Sequence, residues 1–128
     1  MTEVLVGLSS VCTTPDQPVW LHGYATEARQ RPFEGKLHDL HVKALALEDA
    51  DGVRLVLLTV DLCVLRKAEA EKLARRLSQR TGLPAERIIV NLSHTHSGPM
   101  ISSESARRYP MPAEMRERIG AYADQLIE

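Results

Sequence analysis

Chemistry in this sequence concentrates in one short element, His94-Thr95-His96-Ser97-Gly98-Pro99. Two histidines at i and i+2 in extended backbone project to the same side. Both imidazoles can then face one metal ion, or one can bind metal while the other handles a proton. The Ser-Gly-Pro that follows is a turn, so the pair sits where a strand leaves its sheet. In open α/β sheets, ligands gather outside the carboxyl ends of strands. Ser97 has no Gly-x-Ser-x-Gly elbow around it, which argues against a serine nucleophile. An HxHxDH metal site is excluded by the residues after His96, and barrel hydrolases place their HxH after a first strand near the chain start.

Several elements must position this motif. Residues 3–9 read as a short strand. Residues 12–36 are irregular, interrupted by Pro15, Pro18, Gly23, Pro32 and Gly35. A loop of that length in a compact domain is usually functional. Residues 38–48 and 53–61 form two arms around Asp49-Ala50-Asp51-Gly52, a hairpin turn by composition. The second arm is a nearly unbroken apolar run, which suits a central strand covered on both faces. Residues 66–81 form a helix with Ala70, Leu73, Ala74 and Leu77 in one stripe, stopped by Gly82 and Pro84. Residues 88–93 form a further strand, so 53–93 reads as a right-handed strand-helix-strand crossover with parallel strands. Residues 99–111 read as loop. Pro112 then opens a last helix with Met115, Ile119, Tyr122 and Leu126 on its apolar stripe. The expected fold is α/β: a mixed sheet with a β-hairpin and a βαβ unit, helices packed on it.

The topology gathers more chemistry at one sheet edge. If the hairpin closes between Glu48 and Val53, Asp61 stands opposite Leu40, with His38 its diagonal neighbour on the same face. His38, Asp39, Asp61, His94 and His96 then converge. Asp61 can equally cap the turn after its strand, and His38 and Asp39 can serve only to hydrogen-bond the long loop. His41 falls on the other face and reads as structural. His22, beside Gly23, tells little, and Arg107-Arg108 reads as a solvated loop.

The 128 residues suit a single domain. Sixteen basic residues against 17 acidic ones leave no field to hold a polyanion, and an aromatic content of 4% is thin for base stacking, so nucleic acid is not an expected partner. No apolar run approaches the ~20 residues of a membrane span, and no signal peptide is readable. Cys12 and Cys63 form no CxxC pair and read as buried, inert thiols of a reducing, cytoplasmic compartment.

Several segments together resemble the N-terminal catalytic domain of neutral/alkaline non-lysosomal ceramidases, its compact bacterial members above all. They are Gly23-Tyr24-Ala25, Arg31-Pro32-Phe33-Glu34-Gly35, Leu37-His38-Asp39, Lys43 to Glu48, Val60-Asp61-Leu62, Leu83 to Ile88, and Ser93 to Pro99. The resemblance implies a zinc-dependent amidase that splits the N-acyl amide of ceramide, or of a related lipid or small molecule, into amine and fatty acid. It implies His94 as a zinc ligand and His96 as the catalytic residue beside the metal. The family's second zinc histidine, its glutamate and its tyrosine have no match in this sequence. The chain is therefore expected to form the N-terminal part of a larger layered domain, carrying part of an active site. The competing expectation is a non-catalytic module of the same fold, without metal, that self-associates through uncovered apolar surface.

Overall fold

A computed structural model describes residues 3–24 and 26–128. Four strands form one mixed sheet in the order β1-β2-β3-β4: β1 is Leu5–Cys12, β2 His41–Glu48, β3 Arg54–Val60 and β4 Ile88–Leu92. The first three run antiparallel, and β4 lies parallel to β3. Helix α1, Lys67–Thr81, connects that parallel pair; a single turn α2, Ser103–Ala106, and helix α3, Ala113–Ile127, follow. This is the mixed α/β arrangement expected, with three differences of extent. β1 runs on to Cys12, β2 begins at His41 so that His38, Asp39 and Leu40 precede the strand, and α2 interrupts a segment whose composition predicts loop.

Gly82 ends α1 in the left-handed conformation (φ 70°), its N–H on the Ser78 carbonyl, as a glycine stop should. The hairpin turn differs by one residue from the expected pairing. The Asp49 carboxylate accepts from the N–H groups of Asp51 (3.0 Å) and Val53 (2.8 Å), and the Asp49 N–H donates to the Val53 carbonyl. The loop is therefore Ala50-Asp51-Gly52, closed by Gly52 at φ 77°. Glu48 faces Arg54 rather than Val53. A shift of one residue changes every partner, so Asp61 meets His41 and not the His38–Leu40 pair. The Asp61 N–H donates to the His41 carbonyl at 3.1 Å, and its Oδ2 accepts from the His41 N–H at 2.9 Å. Asp61 thus closes the end of the β2–β3 ladder.

Two apolar clusters make the core. On one sheet face Leu58, Val60, Val42, Ala44, Val90 and Leu92 pack with Leu77 of α1 and with Tyr122, Ala123 and Leu126 of α3. The second cluster joins Val19 and Trp20 of the long irregular segment to Met100, Met111, Met115 and Ile119. Trp20 meets the Tyr109 ring edge-on at 6.1 Å between centroids. This cluster, not secondary structure, holds the irregular segment down.

The other sheet face is open among the described residues. The pairing sets Leu8, Leu45, Leu57 and Ile89 in one row across the four strands, and Val6, Leu47 and Leu55 beside it. Leu8 is 80% exposed and Ile89 48%. The expectation that β3 is covered on both faces is thus met on one face only. Cys63 is buried as expected, whereas Cys12 is exposed at the end of the edge strand. Among the described residues no helix is long and apolar enough to cross a membrane.

Tyr122 ties α3 to the start of the irregular segment: its hydroxyl donates to the Thr13 carbonyl at 2.6 Å. Burial pushes its pKa up to about 12 from 10.0. A raised phenol pKa gives a contribution fully present below pH 10 and lost as pH rises through about 12. Tyr122→Phe should cost about 1 kcal/mol at neutral pH, and urea titrations above pH 10 should show a smaller alkaline loss in the variant than in the parent.

Candidate functional site

β4 delivers the histidine pair. After Leu92 the chain leaves the sheet, with a last bond from the Ser93 N–H to the Val60 carbonyl at 3.0 Å. His94 then adopts a left-handed conformation, φ 56°. Such strain in a non-glycine residue costs on the order of 1 kcal/mol and collects at functional sites. The backbone is therefore not extended through the motif as expected. The imidazoles converge nonetheless, with ring centroids 5.0 Å apart at 68°.

The turn beyond is clamped. Gly98 is buried so closely that a Cβ there would lie 3.1 Å from the Asp61 carbonyl oxygen and from Thr95 Cγ2. The Met100 N–H donates to the Trp20 carbonyl (2.8 Å), and the His22 N–H to the Gly98 carbonyl (2.9 Å). Residues 20–24 thereby run alongside the motif.

His94 Nδ1 donates to the Cys63 carbonyl at 2.7 Å. That bond fixes the tautomer and leaves Nε2 as the free lone pair, the arrangement that orients metal-binding imidazoles. Cys63, His94 and His96 each bring one ligand atom within 4.8 Å of the others, the one such group among the described residues. Cys63 Sγ lies 3.9 Å from His94 Nδ1, and burial pushes the thiol pKa up, so it favours the neutral form. Two imidazoles with a thiol behind them form a donor set compatible with zinc.

His96 is wedged by groups from the irregular segment. The Tyr24 ring meets it edge-on at 4.7 Å, and Gly23 lies flat against it: a Cβ on Gly23 would stand 2.4 Å from His96 Cγ. Arg29 Nη1 donates to the His96 carbonyl at 3.4 Å, and its guanidinium lies 4.9 Å over the Tyr24 ring. His22 joins the same neighbourhood. Burial first, then the Arg66 guanidinium and the neighbouring His96 and His94 rings, lower its pKa and favour its neutral form.

Of the residues expected at this edge, His94 and His96 come together, while His38, Asp39 and Asp61 stay outside the cluster. The Asp61 carboxylate is spent on the His41 N–H. Asp39 accepts from Thr14 Oγ1 at 2.9 Å and pairs with Lys36, whose ammonium holds the carboxyl below its usual range. Asp39 and the exposed His38 line a pocket of about 620 Å³ that Thr95 and Ser97 border on the other side. The edge is shared, but not the donor set. His22, Tyr24, Arg29 and Cys63 complete the neighbourhood, and no spacing in the sequence announces them.

No protein-family model matches this chain. Among solved structures, neutral ceramidase from Pseudomonas aeruginosa aligns with a TM-score of 0.71 and 25% identity, covering 97% of this chain and 20% of that one. A structure described as ceramidase complexed with C2 gives the same values. The chain thus spans about a fifth of the length of the ceramidase it matches. Over almost all of its length, this chain has the fold of one portion of a neutral ceramidase.

Proposed function

We propose that this chain supplies the metal-side wall of a zinc-dependent amide hydrolase of the ceramidase type, acting on a lipid N-acyl amide. The observation that carries the reading is His94: an imidazole on a left-handed backbone at a strand end, its Nδ1 tied to a backbone carbonyl at 2.7 Å and its Nε2 left free. Zinc, when bound, supplies a Lewis acid and a water acidified to a pKa of about 7. His94 would hold the ion through Nε2. His96, with Gly23 and Tyr24 beside it, would hold or pass a proton at its imidazole next to such an ion. His22, neutral and close by, offers another proton acceptor on the same side.

The open apolar face of the sheet favours a second reading, a non-catalytic module of the same fold that associates through that face. Zinc content of the purified chain, together with amine release from N-octanoyl amides once the remaining zinc ligands are supplied, decides between them. The hydrolase reading expects release that a chelator stops and that His96→Ala lowers by about a hundredfold or more, with zinc still bound. No stoichiometric zinc in the purified chain, with self-association through the open face, would leave the module reading.

A further inference from the structure

The pocket beside the histidine pair has a polarity that metal chemistry does not explain. Its apolar walls are Leu21, Pro32, Phe33, Leu37 and Pro99, and three cations border it: Arg29, Arg31 and Lys36. Two of these are answered locally. Arg31 pairs with Glu34 at 3.0 Å, and Lys36 pairs with Asp39. Arg29 differs. It is half-buried, and among the described residues no carboxylate pairs with it. Its partners are a backbone carbonyl and an aromatic face, both neutral. A guanidinium carries five N–H donors in a fixed fork, and Arg29 uses one of them on the His96 carbonyl. The contact with Tyr24 and the bond to His96 hold the cation in place without neutralising it. It therefore stands as a positioned, uncompensated charge between the histidine pair and an apolar pocket.

We infer that Arg29 makes this pocket a binding site for a carboxylate-bearing acyl chain, the chain lying along Phe33 and Leu37 and the carboxylate on the guanidinium. Planar guanidinium and carboxylate match in geometry, and charge-assisted bonds of this kind are about twice as strong as neutral ones. The amide-hydrolase reading supplies only the choice of acyl ligand; the pocket and its charge stand without it. Two sources of that carboxylate fit the chemistry: an N-acyl amino acid, where the anion belongs to the substrate, or the fatty acid that amide hydrolysis releases.

Binding to the metal-free chain, in the presence of a chelator, tests the site apart from any zinc chemistry. The probes are N-octanoylglycine, octanoate and the neutral N-octanoylethanolamine, followed by calorimetry. At least one carboxylate should bind about tenfold tighter than the neutral amide, with the gap narrowing as salt rises. Tighter binding of N-octanoylglycine than of octanoate assigns the anion to the substrate, and the reverse assigns it to the product. Arg29→Gln should erase the preference, Arg29→Lys should keep part of it, and Arg31→Gln should keep it whole, with circular dichroism verifying each fold. Equal affinity for all three probes, no binding of any, or a carboxylate preference that survives Arg29→Gln would overturn the inference. None of these results bears on whether His94 binds zinc, so the two readings fail separately.

Discussion

His94→Ala is expected to abolish zinc retention by this chain. The parent should bind zinc measurably in equilibrium dialysis, and the variant essentially none, as read by atomic absorption. The expectation follows from the division of labour within one ring. Nδ1 is committed to the Cys63 carbonyl, and the same bond orients Nε2 as a lone pair. Alanine removes the donor and the anchor together. Companion variants separate this from rival assignments. Cys63→Ala keeps the backbone carbonyl, and so the tautomer, while removing the buried thiol. It should retain zinc if the imidazoles carry the site, and lose it if Sγ is a ligand. Asp61→Asn should also retain zinc, because that carboxylate serves the His41 N–H. Zinc content unchanged in His94→Ala would end the metal assignment.

The contrast between these residues shows what a sequence can and cannot announce. The histidine pair is legible because its members are two positions apart and follow an apolar strand. The elements around it are legible for similar reasons: α1 shows its stripe and its Gly82 stop, and α3 its Met115–Ile119–Tyr122 face. Asp61 misleads because its register depends on the length of the turn. The loop holds three residues rather than four: the Asp49 N–H bonds to the Val53 carbonyl and its carboxylate takes the Val53 N–H, so Asp49, not Glu48, closes the hairpin against Val53. The motif's position after a strand predicts extended backbone at His94, yet it turns left-handed where packing of the clamped Gly98-Pro99 turn outweighs the local preference. His22, Tyr24 and Arg29 are the least legible. They reach the site because Trp20 is buried against α3's cluster and residue 21 bridges to 99, contacts between segments that no periodicity links. The apolar run of β3 is a different case. It records that both faces favour burial, but not what covers them; α1 and α3 cover one, and the row through Leu8, Leu45, Leu57 and Ile89 remains open.

Gly23→Ala is expected to damage the site without touching either histidine chemically. Two separate physical penalties meet at this glycine. Its φ of 113° lies in a region that side-chain-bearing residues rarely adopt. A methyl group there would also stand 2.4 Å from Cγ and 2.8 Å from Cβ and Cδ2 of His96, well inside van der Waals contact. The ring cannot swing aside freely, because Tyr24 and His94 flank it at 4.7 and 5.0 Å between centroids. Relief must come from displacing His96 or from lifting residues 20–24 off the motif, which would break the bridge between Leu21 and Pro99. Either route should lower stability by about 1–3 kcal/mol and shift the His96 ring resonances. Zinc should still bind through His94, but more weakly, because the second imidazole has lost its placement. Gly35→Ala is the matched comparison: a methyl group there would meet no atom within 4 Å, and its φ is not in the left-handed range. It should leave both stability and the His96 spectrum unchanged. If Gly23→Ala behaved like Gly35→Ala in urea titration and in the histidine NMR spectrum, the packing of the irregular segment against His96 would be wrong, and with it the placement of Arg29 beside the histidine pair.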